Sequence, residues 1–118
     1  NPIFALAIVD KFGKQYLGSC GLSLIDEYKR YEIFYSLLYR YWGNGYAIEA
    51  VKTLFNYAFN QSEVKNMVAY INPKNSRSWK VAERSGMMYL GQITHKETKE
   101  KAMYYVITKK EFKRQNYY

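Results

Sequence analysis

Apolar and polar positions change their spacing along this chain, and the changes predict its elements. Residues 3–9 (IFALAIV) are a short apolar run closed by Asp10. Lys11-Phe12-Gly13-Lys14 reads as a hairpin turn, with Gly13 free to take positive φ. Residues 16–25 (YLGSCGLSLI) read as the partner strand, with Gly18 and Gly21 as points of bulge or close approach. After a charged turn over 26–30, residues 31–38 (YEIFYSLL) are rich in aromatic and β-branched types and read as a third strand. Short turns make these three an antiparallel meander. The period then changes. Over residues 45–60 the polar positions Glu49, Lys52, Thr53, Asn56 and Asn60 fall three and four apart. Ile48, Val51, Leu54, Phe55 and Ala58 fill the opposite side, which predicts an amphipathic helix.

Residues 67–71 (MVAYI) are a continuous apolar run, the pattern of a strand buried on both faces. Asn72-Pro73 stops it. Asn75 or Ser76 can cap a second helix that runs to a C-terminal Gly86. Residues 88–95 and 101–108 flank a charged turn and read as a hairpin. Thr108 and Glu111 have capping-box spacing, so a last helical turn is expected. The predicted order is βββ-α-β-α-ββ, a mixed α/β layout in which a mostly antiparallel sheet is flanked by helices.

With 118 residues the chain supports one domain with one modest core, expected to span residues 1–118. Its 48% hydrophobic content is too rich for disorder. No apolar run reaches the roughly 18 residues of a membrane span, so no membrane association is expected. Cys20 is the only cysteine, which excludes an internal disulfide framework and a Cys-rich zinc site. It reads as buried filler. His95, the only histidine, has no ligand partner at metal spacing and reads as a surface or strand-end residue; no metal is expected. The sequence opens at Asn1 and runs straight into apolar residues, with nothing resembling a signal peptide. This suggests a processed chain or a piece of a longer one. A net charge of +8 favours an anionic partner, be it nucleic acid, an acidic protein or a phosphate-bearing cofactor.

Chemistry concentrates in Arg40-Tyr41-Trp42-Gly43-Asn44-Gly45-Tyr46-Ala47, which joins the third strand to the amphipathic helix. Two glycines at i and i+2 allow a tight turn with successive N–H groups exposed. The turn sits at a helix N-terminus, where the dipole is positive, and that suits a pyrophosphate. Arg40 adds a cation. The string GxxxxGK[ST] of the P-loop does not occur, and the third glycine of the Rossmann fingerprint is replaced by Ile48.

Arg40-x-x-Gly43-x-Gly45 resembles the acetyl-CoA signature (Q/R-x-x-G-x-G/A) of the GNAT superfamily of N-acetyltransferases. The wider string Trp42-Gly43-Asn44-Gly45-Tyr46-Ala47-Ile48-Glu49-Ala50 resembles the W-G-x-G-Y-A-x-E-A pattern of the RimJ/RimL-like branch, which acetylates ribosomal-protein N-termini. A second stretch, Asn72-Pro73-Lys74-Asn75-Ser76-Arg77-Ser78 followed by Val81-Ala82-Glu83-Arg84-Ser85-Gly86-Met87, is similar to that branch's x-P-x-N-x-x-S-x-x-V-x-E-K-x-G-F.

The resemblance implies a GNAT-like fold and acetyl-CoA as co-substrate, with transfer of its acetyl group to a primary amine such as a protein N-terminus. It implies that Leu37 and Leu38 pair through main-chain atoms with the pantetheine arm, and that the amides of Tyr41, Trp42, Gly43, Asn44, Gly45 and Tyr46 wrap the pyrophosphate. Asn75 matches a cofactor-contacting asparagine. Lys80 and Arg84 are candidates for a nucleotide phosphate, beside their reading as a solvated basic face. Glu32 is the candidate base and Ser78 the candidate proton donor to sulfur. Their plain alternatives are an exposed strand glutamate and a helix-capping serine. Many members carry a tyrosine in the second helix where this chain has Ala82, which leaves Ser78 as the candidate acid. The family fold opens with a strand and two helices before the hairpin that begins here, so the chain is expected to be N-terminally truncated. A sheet edge and apolar surface are then expected to lie open to a partner, a second copy among them. A cytoplasmic location is expected. Two rival readings stand beside the enzyme: a catalytically impaired CoA-binding fragment, and a basic RNA- or ribosome-binding module.

Overall fold

The computed structural model of the chain describes residues 2–25, 30–94 and 98–116, with residues 2–4 described by their backbone. Three strands come first: β1 (Pro2–Val9), β2 (Tyr16–Leu24) and β3 (Tyr31–Leu37). A single 3-10 turn over Tyr39–Tyr41 leads to helix α1 (Tyr46–Gln61). There follow β4 (Asn66–Ile71), α2 (Ser76–Arg84), β5 (Met88–Thr94), β6 (Lys101–Thr108) and α3 (Lys109–Gln115). The strands form one sheet in the order β1-β2-β3-β4-β6-β5. Every neighbouring pair is antiparallel except β3 and β4. The mixed α/β layout and the opening meander agree with the hydrophobic pattern. The expected charged turn at 26–30, His95 and part of the 96–100 turn fall on residues 26–29 and 95–97, outside the described residues.

Register explains the core. Leu22 lies opposite Ile33, Tyr31 beside Met67, Met67 opposite Ile107 and Ala69 opposite Tyr105. Strand side chains alternate between faces, so these residues share one face. They join Val51, Leu54, Phe55, Ala58 and Phe59 of α1, Ala82 of α2 and Phe112 of α3 in a single cluster. All three helices therefore cover the same side of the sheet. On α1 the predicted polar positions are exposed, and Phe59 joins the buried stripe. Cys20 is buried in the cluster, where desolvation pushes its thiol pKa up. Gly18 marks a close approach, since a Cβ there would meet the Ser36 carbonyl oxygen at 2.0 Å.

The last helix is longer than the single turn expected. Thr108 Oγ1 accepts a hydrogen bond from the Glu111 N–H at 3.0 Å, as the capping spacing implies. Phe112 then packs on Phe59 and Phe55 with ring centroids 5.3 and 6.2 Å away. That tertiary contact, rather than local propensity, extends the helix. The second helix ends at Arg84, and the predicted Gly86 follows its Ser85 cap at φ 101°. The Gly86 N–H donates to the Glu83 carbonyl, and the Met87 N–H to the Ala82 carbonyl.

Tyr105 is fully buried on β6, and its hydroxyl donates to Glu83 Oε2 at 2.6 Å, tying α2 to the sheet. Burial first, then the Glu83 carboxylate, raise its pKa well above 10. Unfolded chains ionise tyrosine near pH 10 while this folded phenol stays protonated. Its stabilising contribution is therefore present below about pH 10 and declines as pH rises above it. Above about pH 10, folding stability is expected to fall more steeply than in a Tyr105→Phe chain, by up to about 1.4 kcal/mol per pH unit. Urea denaturation at a series of alkaline pH values checks this. Equal slopes in the two chains would contradict it.

Candidate active site

The sheet is not zipped along its full length. Among the described residues β3 and β4 pair only at Tyr31 with Met67 and Glu32 with Val68, yet the strands continue to Leu37 and Ile71. Beyond Glu32 they diverge and leave a gap. The Leu38 N–H donates to the Leu17 carbonyl at 2.8 Å. In an antiparallel pair alternate residues exchange both bonds, so Leu38 turns its N–H toward β2. Tyr35 and Leu37, in the other phase, turn their main-chain groups toward the gap. The Leu38 carbonyl is also engaged, accepting from the Tyr41 N–H at 2.9 Å. Of the two residues expected to offer main-chain atoms there, Leu37 has the placement and Leu38 does not. Tyr35 shares the phase of Leu37. The fault lies in phase: adjacent residues on a strand cannot both face the same neighbour.

At the mouth of the gap the chain turns into α1. Gly43 and Gly45 have φ of 83° and 77°, a region costly for residues with a side chain, and nothing lies within 4 Å of where a Cβ would stand. Gly45 is the N-cap, and no side chain caps the first turn of α1. The amides there are presented to the cleft at the positive end of a 16-residue helix. Asn44 Nδ2 stitches the loop by donating to the Tyr41 and Trp42 carbonyls at 3.3 and 3.2 Å. The Trp42 indole N–H donates to the Leu37 carbonyl at 2.9 Å. Its ring lies 4.7 Å from that of Tyr39 and carries the Arg77 guanidinium at 4.2 Å, a cation–π contact that joins the loop to α2.

The first turn of α2 forms the opposite wall. Asn75 caps it, its Oδ1 accepting from the Ser78 N–H at 3.2 Å. The Ser78 side chain is thus not the cap. Its hydroxyl donates to the Tyr35 phenol oxygen at 3.2 Å, and that phenol donates to the Ser78 carbonyl at 2.7 Å. Burial raises the Tyr35 pKa, and the hydrogen bond with Ser78 acts in the opposite sense. Lys80 and Arg84 follow along the same wall. The cleft, open to solvent along one side, holds about 640 Å³.

Leu37, Trp42, Gly43, Gly45, Tyr46, Asn75, Ser78 and Lys80 all line this one cleft. Arg40, Tyr41 and Asn44 do not. Arg40 lies over the Tyr41 ring at 5.2 Å. The Tyr41 hydroxyl donates to Gln15 Oε1 at 3.1 Å, and its ring lines a separate groove of about 740 Å³ between α1 and the β1–β2 hairpin. Glu32 sits half-buried at the closed end, where β3 still pairs with β4, outside the cleft lining. Sequence reasoning missed Tyr35. Among fourteen tyrosines only its phase, two residues before Leu37, distinguishes it.

These residues suit a coenzyme A-like molecule. The glycine cradle offers uncapped amides to an anion, the β3 edge offers main-chain groups to an amide-bearing arm, and Arg77, Lys80 and Arg84 supply positive charge.

Known proteins share this architecture. A crystal structure of a GNAT-family acetyltransferase from Bacillus anthracis superposes with a TM-score of 0.78 at 24% identity, covering 90% of this chain and 66% of that one. An aminoglycoside acetyltransferase solved in complex with coenzyme A superposes with a TM-score of 0.77 at 21% identity, over 87% of this chain and 65% of that one. In sequence, the uncharacterized protein YkkB of Bacillus subtilis is 42% identical over 82 residues, 68% of this chain and 48% of that protein. An uncharacterized N-acetyltransferase, p20, of Bacillus licheniformis is 37% identical over 76 residues, 64% of this chain and 43% of that protein. The chain thus spans about half the length of the curated relatives it matches. The sequence model described as an acetyltransferase (GNAT) domain matches residues 1–88, which takes in the meander, the glycine cradle, α1, β4 and α2, and on that match the chain belongs to the GNAT acetyltransferase family.

Proposed function

We propose that this chain binds acetyl-CoA in the cleft between β3 and α2 and promotes transfer of the acetyl group to a primary amine. One observation carries the reading: the unpaired β3 edge opens directly onto an uncapped helix N-terminus framed by two positive-φ glycines. Acetyl-CoA supplies the acetyl group as a thioester, which an unprotonated amine attacks. The chain's part is to bind and orient. The amides of Gly43, Gly45 and Tyr46 hold the pyrophosphate. Main-chain groups of Tyr35 and the N–H of Leu37, whose carbonyl is held by the Trp42 indole, fix the arm, and Asn75 and Lys80 border it. Ser78 is the proton donor to sulfur. Glu32, if it serves as base, acts from the closed end of the gap through water, because it does not line the cleft.

A protein N-terminus is the leading acceptor. The W-G-x-G-Y-A-x-E-A string supports that RimJ/RimL-like reading, and a ribosomal-protein-S5-alanine acetyltransferase from Vibrio fischeri shares the fold at 22% identity. Small polyamines are the second class, since a spermidine N-acetyltransferase chimera also shares it. A cytoplasmic setting accords with a lone buried thiol.

Calorimetric titration with acetyl-CoA at low and near-physiological salt tests the reading. Saturable one-site binding that survives salt is expected. A folded chain that ignores acetyl-CoA but binds RNA with steep salt dependence would replace it with the basic-module reading. Acetyl transfer is then assayed with spermidine, kanamycin and an alanine-led peptide.

A further inference from the structure

Tyr35 and Ser78 hold each other by two contacts across the cleft, and a phenol has one proton to give. With that proton on the Ser78 carbonyl, at 2.7 Å, the phenol oxygen is open as an acceptor and the Ser78 proton points at it. The Ser78 Oγ lies only 3.2 Å from the same phenol oxygen. Turning the phenol O–H from the carbonyl to that hydroxyl reverses the donor, and the Ser78 proton is then released into the cleft. The carbonyl left behind lies in the first turn of α2, where the helical bond from residue 82 serves it. The exchange therefore requires no side-chain displacement and leaves no buried group unpaired.

Resting on the acetyl-transfer reading of this cleft, we propose that Tyr35 is a positioning residue that acts through Ser78, the pair forming a two-hydroxyl relay that delivers a proton to the departing sulfur. As the amine nitrogen bonds to the acetyl carbon, the carbon–sulfur bond breaks and its electron pair goes to sulfur. Ser78 gives its proton to sulfur and takes one from Tyr35. The nitrogen's surplus proton goes to water, and water returns one to the phenolate. The sum is amine plus thioester giving amide plus thiol. Burial raises the Tyr35 pKa, so at neutral pH the phenol retains the proton this sequence needs.

The test uses the unsubstituted chain and its Tyr35→Phe, Ser78→Ala and doubly substituted forms. Phenylalanine keeps the ring packed and removes only the hydroxyl. With acetyl-CoA and the best acceptor of the panel above, Tyr35→Phe is expected to lower kcat about tenfold or more, less than the roughly 100-fold or greater loss of a direct proton donor because Ser78 remains. KM for acetyl-CoA should stay within about twofold, and the double form should be no slower than Ser78→Ala. A second readout needs no turnover. With tyrosine carrying carbon-13 at Cζ, the Tyr35 resonance is identified by its loss in Tyr35→Phe. It should shift when CoA is added to the unsubstituted chain and stay in place in Ser78→Ala. An unchanged kcat with raised KM and lowered thermal midpoint would make Tyr35 a brace for α2 and overturn the relay. Additive losses in the double form, or a resonance indifferent to CoA, would also overturn it. Failure of the unsubstituted chain to bind acetyl-CoA, seen by calorimetry before any variant is made, removes the cleft reading itself.

Discussion

A Gly45→Val chain is expected to fold and to lose acetyl-CoA affinity by at least about 30-fold. Gly45 sits at φ 77°, where a residue with a Cβ is strained by roughly 1–2 kcal/mol and a β-branched one by more. The free loop relaxes to relieve that strain and re-aims the amides at the start of α1. A ligand that needs the original cradle must restore the strain on binding, and each 1.4 kcal/mol is about a tenfold loss. The isopropyl group adds bulk, because the space at the missing Cβ is open cleft. Gly45→Ala should fall between the two, near tenfold by the same arithmetic. The buried stripe of α1 lies further along, at Val51, Leu54, Phe55, Ala58 and Phe59, so the helix stays docked. Calorimetry and a thermal melt on the same sample separate the effects. Affinity within about threefold of the unsubstituted chain would contradict the cradle.

A Phe55→Ala chain should show the opposite profile, a large loss of stability. Phe55 has 0% exposure, and its ring meets those of Phe59 and Phe112 at 6.3 and 6.2 Å. Removing a buried phenylalanine costs about 3–5 kcal/mol from lost transfer energy and the cavity left behind. A domain of this size has a total stability of only about 5–15 kcal/mol. The site joins α1 to α3, so little else can move in to fill it. Urea denaturation is expected to shift to a much lower midpoint, with α3 the first element to lose its support. A loss under about 1 kcal/mol would mean that the helical layer repacks freely.

Much of this fold is legible from periodicity. The switch from the apolar and β-branched runs of the meander to a spacing of three and four in α1 marks both elements to within a residue. Asn75 and Gly86 bracket α2 because caps are local chemistry, decided by a few neighbours. The 3-10 turn at Tyr39–Tyr41 is too short to carry a period. The length of α3 was hidden because Phe112 gains its partners from α1, half a chain away in sequence. The glycine cradle was legible for the same reason as the caps. The phase of β3 was not. It depends on which residues β2 claims through Leu17, and that choice assigns Tyr35 and Leu37 to the gap and turns Leu38 away. Arg40 and Tyr41 belong to the motif by spacing, yet the turn swings them off the cleft.

The short seam between β3 and β4 has a consequence for how the molecule responds to its surroundings. Among the described residues two pairs link the meander to the rest of the sheet, and beyond them the halves are joined by the helical layer and by what lies between the strands. A molecule lying along that edge and gripping the start of α1 touches both halves of the sheet and opposes their separation. At a concentration 100 times its dissociation constant, such a ligand adds about 2.7 kcal/mol to folding stability. If acetyl-CoA lies there as proposed above, the resistance of this chain to heat and proteolysis would rise with the concentration of that ligand.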